Sequence, residues 1–354
     1  MYPIPQGIII TAEVIEMQGK QIVFTRPNVA ELLSYEITPP KAGYVQVALE
    51  ISTVSSGTER ANVSGDVNVS TLKREEKAVF PRYAGYSSAG RVLAVGENVK
   101  SLKPGDRVAM FWSTHSQILN IAESRCMKLP DSVSAQEAAL FHIVTFPLAA
   151  IRKCRLEIGE SALVMGQGIL GMLAVKLLRI AGAMPVIAAD PVEEKREQAL
   201  ALGADFALDP LAPDFAETVK RITGGGVKAA IEVTGKGQAL DTTLDCMAPL
   251  GRVALLGCTR DSNFTIDYYR KVHGPGITLV GAHTNARPGL ESAPGYWTQQ
   301  DDFACVLALT AGGRLKLKDM VEETHSPEQA PAVYTRLVSE PSFPVVQFDW
   351  RLLK

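Results

Sequence analysis

"LVMGQGILGMLAVKLL", residues 163–178, decides the architecture. An apolar run enters a glycine turn, and a run with helical spacing leaves it. Gly166, Gly168 and Gly171 fit G-x-G-x-x-G, and Asp190 ends the next apolar segment, "MPVIAAD" (184–190), about 20 residues on. Gly166 permits the tight turn. Gly168 lets backbone approach a diphosphate. Gly171 lets the helix pack closely on its strand. The free N–H groups of the first helical turn, at Ile169 and Leu170, hold the phosphates. A ligand-free glycine turn is the plainer alternative. The strand, the helix, the acid and the repeating units downstream weigh against it.

Strands and helices alternate outward from this stretch. "FALD" (206–209), "KAAIEVTG" (228–235), "RVALLGC" (252–258) and "ITLVGAH" (277–283) read as strands. "PVEEKREQALALGA" (191–204), "DFAETVKRITG" (214–224) and "QALDTTLDCMAPLG" (238–251) read as helices. Helical crossovers of this length imply a parallel sheet. Before about residue 140 the texture differs. "QGIIITAEVIEM" (6–17), "KQIVFTR" (20–26), "YVQVALEIS" (44–52), "AGRVLAVG" (89–96), "DRVAMF" (106–111) and "HSQILNIA" (115–122) are short, β-branched and bounded by turns. "SAQEAALFHIVTFPLAAIRKC" (134–154) is helical, with Asp131 and Ser134 as candidate caps. The tail holds helices in "DDFACVLALTAGG" (301–313) and "QAPAVYTRLVSE" (329–340), then a strand in "PVVQFDW" (344–350). The expectation is an α/β protein of two domains. Residues 1–142 and 286–354 form a β-rich domain, and 143–285 form a doubly wound parallel-sheet, Rossmann-type dinucleotide-binding domain.

The 354 residues are 46% hydrophobic and 21% charged, with a formal net charge of -2. Nothing there attracts nucleic acid or an anionic membrane in bulk, and no apolar run reaches the roughly 20 residues of a membrane span. The start of the chain lacks the basic region of a signal peptide. Five scattered cysteines form no C-x-x-C pair. A cytoplasmic protein with a small-molecule substrate is expected. Asp190 favours NAD over NADP, because a carboxylate at that strand end accepts from ribose hydroxyls and repels a 2′-phosphate. Lys195 and Arg196 weaken that preference slightly. Their plainer reading is a solvated helix face, though Arg196 stays a candidate cofactor contact.

Set beside "GRVLAVGENVKSLKPGDRV", "VMGQGILGMLAVKLLRIAGA" and "EKREQALALGAD", this order of lobes resembles the medium-chain dehydrogenase/reductase superfamily, which includes the zinc alcohol and polyol dehydrogenases. The likeness covers nearly the whole chain and implies that the first, β-rich domain is GroES-like and catalytic. "SSGTER" (55–60) and "YAGYSSAGRV" (83–92) look like a zinc-lacking branch typified by bacteriochlorophyllide-type dehydrogenases. Carried over residue by residue, the family's three catalytic zinc ligands fall on Ser56, Tyr86 and about Phe141, with Ser87 at the neighbouring acid and His142 beside the third. Zinc needs three protein ligands from Cys, His or carboxylate. The four cysteines of the family's structural zinc lobe are also missing, so no metal is expected.

The resemblance implies that Thr58 is the hydroxyl touching the substrate oxygen and that Glu59 is the supporting acid, free to orient Tyr86 or pair with Arg60. The family's relay histidine falls on Ala61. Tyr86 and His142 are the candidate acid/bases, each weighed against a packed core residue. Ser56 completes the set. Thr145 is expected against the nicotinamide. Thr234, Gly257 and His283 follow strand ends on the cofactor side, and His283 either faces the cleft or caps a loop. "NARPGLESAPGYWTQQDD" (285–302) reads as a polar loop over the cleft or as a contact between domains or subunits. The leading expectation is an NAD-dependent oxidoreductase acting on a secondary alcohol or ketone, polyol or sugar-like. A zinc-free enone or quinone reductase using NAD(P)H and a non-catalytic nucleotide-binding protein are the alternatives. A homodimer is implied through edge pairing of the last nucleotide-domain strand, with a tetramer as the other option.

Overall fold

The computed structural model describes residues 18–69, 76–260 and 262–354. The strand expected at 6–17 lies outside them. Six parallel strands form the nucleotide-binding sheet, in the order Phe206–Leu208, Val186–Ala189, Ala162–Met165, Val227–Glu232, Met247–Leu255, Thr278–Gly281. The chain starts in the middle, winds to one edge, then returns and winds to the other. That reversal opens a crevice beyond the carboxyl ends of the strands, where such sheets bind ligands.

Seven strands form the first lobe's main sheet, with Tyr44–Thr53 at its heart. Ser87–Val95 and Val346–Asp349 flank it, both antiparallel. A smaller sheet joins Gln18–Arg26, Val29–Glu36 and Arg82–Tyr83.

The helix Phe141–Lys153 bridges the lobes. Apart from Arg152, every residue in it is buried. An apolar stretch without a polar face can only be a core helix, and it packs on the helix Ile169–Ala181 and on the first lobe's strands. Just before it, Ser134 caps the turn Ala135–Ala138 in a reciprocal box with Glu137.

The structure departs from the sequence expectations in four places. "VSSGTER" (54–60), whose small hydroxyl residues after the strand at 44–52 read as the start of a loop, opens none: Ser56–Ser64 is a nine-residue helix with Ser55 as its N-cap. The helix expected over 238–251 ends at Asp245, and Met247–Leu255 is already strand. The bridging helix runs across the 142/143 boundary. Finally, the tail beyond 286 does not pack on the first lobe alone. The helix Gln299–Ala311 packs on the bridging helix, and Phe303, Val306, Leu315, Leu317 and Met320 belong to a core in which the bridging helix joins the nucleotide sheet to first-lobe residues such as Ile51, Ala109 and Phe111. Phe343, Trp350, the helix Ala330–Ser339 and the strand Val346–Asp349 join the first lobe's own core, and Glu323–His325 pairs at its sheet edge.

Candidate active site

The glycine loop is built as its spacing requires. Gly166 sits at φ +98°, a conformation that favours glycine. A Cβ on Gly171 would lie 1.9 Å from the Gly166 carbonyl oxygen, whereas one on Gly168 would meet nothing within 4 Å. Gly171 therefore serves packing, and Gly168 faces open space at the start of the helix Ile169–Ala181. Asp190 accepts from the Gln167 backbone N–H at 2.7 Å and from that of Val192 at 2.9 Å. It lines a hollow of about 120 Å³ with Gly168, Gln167, Ser56, Arg60 and Lys195. These residues fit the diphosphate and ribose of a dinucleotide.

Lys195 is not on a solvated face. It is buried, within 3.8 Å of Glu322, and shares the hollow with Asp190. Arg196 instead donates to the carbonyls of Asp190 and Pro191, both at 2.9 Å. Thr234 binds back to the Glu232 carboxylate, and its methyl would be 2.8 Å from a Cβ on Gly166. A Cβ on Gly257 would be 2.2 Å from the Gly235 nitrogen. Both residues shape the loop packing around the glycine turn, and neither lines the cleft or the hollow.

Between the lobes lies a larger cleft of about 440 Å³. Thr58 and Tyr86 enter it from the first lobe, Leu170 from the glycine loop, and Leu256 and His283 from strand ends of the nucleotide domain. His283 lines the cleft, and its Nδ1 accepts from the Asn285 N–H at 3.1 Å. Trp112, Phe146, Cys258, Arg260, Thr284 and Asn285 also line the cleft. Sequence reasoning missed them. Trp112 stands out only in the backbone, at φ +55°.

Tyr86 is buried, and its hydroxyl bonds to the Ser55 and Thr58 side chains. Burial is the main reason its phenol is held well above the usual tyrosine range. It is therefore a neutral donor, not the low-pKa base that a relay would need. Glu59 neither touches Tyr86 nor pairs with Arg60. Its carboxylate accepts from Ser55 N–H at 2.8 Å, from His115 Nε2 at 3.2 Å and from Tyr334 Oη at 2.5 Å. Arg60 donates to the Glu340 carbonyl. Ser87 is buried and donates to the Ala139 carbonyl at 2.7 Å. Of the expected catalytic set, Thr58 and Tyr86 line the cleft, Ser56 lines the smaller hollow, and Glu59 supports from behind.

His142 is fully buried. Tyr86, Trp112 and Phe146 meet its ring edge-on, with centroids 5.4, 4.7 and 5.0 Å away. Burial, then Arg287, pushes its pKa down to about 3, so it is a neutral imidazole and no imidazolium acid. Thr145 is buried too and points at its own helix, donating to the His142 carbonyl. The residue of that helix that lines the cleft is Phe146.

The loop after residue 285 does not lay its aromatics over the cleft. Arg152 stacks 3.5 Å above the Trp297 ring, and Trp297 lines a separate hollow beside the bridging helix. The loop is fastened there by Asp302, buried between Arg152 at 2.9 Å and Arg287 at 2.5 Å.

The positions of Ser56, Tyr86 and Phe141 offer no thiolate, imidazole or carboxylate, so this donor set does not fit a catalytic zinc. Among the described residues no group of three or more His, Cys, Asp or Glu is placed to hold a metal.

Two lobes, a dinucleotide crevice and a hydroxyl-bearing cleft between them define a dinucleotide-dependent oxidoreductase. Comparison with known proteins agrees. Residues 47–140 match the alcohol dehydrogenase GroES-like domain, and residues 170–297 match the zinc-binding dehydrogenase family. D-guloside 3-dehydrogenase of Escherichia coli K12 is 24% identical over 341 residues, covering 91% of this chain and 96% of that one. An alcohol dehydrogenase of E. coli CFT073, solved with NADH, superposes at a TM-score of 0.79 with 19% identity, over 94% of this chain and 99% of that one. A zinc-binding dehydrogenase of Sinorhizobium meliloti 1021, bound to NADP, gives 0.79 with 18% identity, over 94% and 100%. The chain belongs to the medium-chain dehydrogenase/reductase superfamily, and it is an NAD(P)-dependent dehydrogenase-like oxidoreductase.

Proposed function

We propose that the protein is an NAD-dependent, zinc-independent oxidoreductase that interconverts a secondary alcohol, polyol or sugar-like, and its ketone. The observation that carries this reading is the Thr58–Tyr86 hydroxyl pair, set in the cleft where the family's metal site would be. The nicotinamide, when bound, supplies or takes up the hydride. Thr58 and Tyr86 hold the substrate oxygen by their hydroxyls, Tyr86 as a neutral phenol linked on to Ser55 Oγ. Hydrogen-bond donors do here what a Lewis acid does elsewhere. Trp112 and Phe146 set an apolar wall beside the Tyr86 ring. Asn285, Arg260 and His283 supply polar contacts for a hydroxylated substrate, and the D-guloside relative is consistent with one.

Asp190 in the ribose hollow supports NAD. Lys195 beside it favours the second reading, an NADPH-using enone or quinone reductase. Placement in the zinc-lacking branch rests on the replaced ligands. The protein is read as a cytoplasmic homodimer that pairs through Thr278–Gly281, an edge of the nucleotide sheet. Among the described residues no helix is long and apolar enough to cross a membrane.

The test is NADH formation across a panel of polyols, sugars, sugar acids and hydroxylated rings, with zinc measured in protein purified without added metal. Turnover by zinc-free protein is expected. Stoichiometric tightly bound zinc, or binding of NADPH in strong preference to NADH, would overturn the assignment.

A further inference from the structure

His142 has one ring nitrogen with a partner and one without. The Gln299 side-chain nitrogen lies 3.3 Å from Nδ1 and 3.1 Å from Thr145 Oγ1. Nε2 is buried and has no hydrogen-bond partner.

These contacts decide where the imidazole proton sits. Thr145 has a single hydroxyl hydrogen, and it goes to the His142 carbonyl at 2.7 Å. Toward Gln299, Thr145 can therefore only accept. That fixes the Gln299 amide with its NH₂ group inward, since its oxygen would face an acceptor. The same NH₂ group reaches Nδ1, so Nδ1 accepts, and in a neutral imidazole the proton is then on Nε2. The charged or titratable groups bearing on the ring are Tyr86, held neutral by burial, and Arg287, whose positive charge disfavours a second proton.

The ring that carries this unpartnered Nε2–H is met edge-on by Tyr86, Trp112 and Phe146, and these three rings also line the cleft. Trp112 is the most exposed of the three, at 39%. A buried donor without an acceptor is costly. An oxygen arriving among these rings is the acceptor that this donor lacks.

We infer that His142 is a fixed, neutral N–H donor to the substrate's reacting oxygen, that Gln299 is the positioning residue that fixes it, and that the Trp112 indole gives way to admit that oxygen. The inference rests on the reading that an alcohol or carbonyl oxygen occupies the cleft.

Nitrogen-15 NMR of the imidazoles, assigned with His142→Gln, reads the tautomer. The wild-type protein should carry the His142 proton on Nε2. Gln299→Glu, which offers an acceptor to Nδ1, should move it to Nδ1, while Gln299→Met removes the donor and keeps the bulk. Acetamide, a small carbonyl probe, added to the NADH complex should shift the Nε2–H resonance in the wild type and leave Gln299→Glu unaffected. On any alcohol that the wild type oxidises, Gln299→Glu should lose about 10²-fold in kcat with little change in KM, as expected for one lost oxyanion-type donor. A wild-type proton on Nδ1 overturns the inference. So does an Nε2–H unmoved by saturating acetamide, which would make His142 a core residue satisfied by ring faces. If no panel alcohol is oxidised, the substrate reading fails, while the tautomer and the acetamide shift still judge His142.

Discussion

At the scale of single residues, one deletion separates chemistry from stability. Tyr86→Phe keeps the ring stack against Phe146 and His142 and removes one donor. Turnover should fall about 10²-fold with the melting temperature nearly unchanged, checked by steady-state rates beside a thermal melt. Glu59→Ala should do the reverse. It strips the acceptor from buried His115 and Tyr334 and should cost about 2–4 kcal/mol, read from the urea midpoint. His142 contributes to acid sensitivity. Its folded pKa is pushed from 6.5 to about 3, so below pH 6.5 the unfolded chain binds the extra proton and the folded chain does not. Stability should therefore decline as pH falls through this window, and His142→Gln should flatten the decline in urea titrations at stepped pH. Thr58 and Tyr86 were legible because short motifs fix their place. His115, Trp112 and Gln299 were not, because each acts through contacts with residues distant in the chain.

At the scale of elements, the glycine turn was legible because its spacing encodes backbone geometry directly. Gly171→Ala tests that. The added carbon would run into the Gly166 carbonyl, so the helix must lift. Dinucleotide affinity should drop at least tenfold, or the protein should fail to fold, as titration calorimetry and circular dichroism would show. The helix Ser56–Ser64 was invisible for the opposite reason. "SGTERANVS" is built mostly of small and polar residues and has a glycine in its first turn, so no periodic apolar stripe announces it. It forms because Glu59, Ala61 and Val63 are buried and the helix packs against Ala330–Ser339. Tertiary packing outweighs weak local propensity. The cap at Ser134 was readable from local chemistry, and Ser134→Ala should cost about 1 kcal/mol in denaturant titration.

At the scale of the molecule, the parallel sheet follows from alternating strands and helices. The domain boundaries were harder to read. Nothing local in "DDFACVLALTAGG" says which lobe will take it. Phe303 and Val306 pack into the core around the bridging helix, where residues of both lobes meet, a contact with no trace in spacing. The two lobes are thus interleaved along the chain. A protein cut at residue 320 should give no soluble first lobe, and the recovered fraction should lack cooperative melting. The strand Val346–Asp349 shows why. It lies inside the first lobe's sheet, with Tyr44–Thr53 on one side and Glu323–His325 on the other. During synthesis the first lobe's sheet must therefore wait for Val346–Asp349, while the nucleotide sheet, complete at Gly281, can close before it.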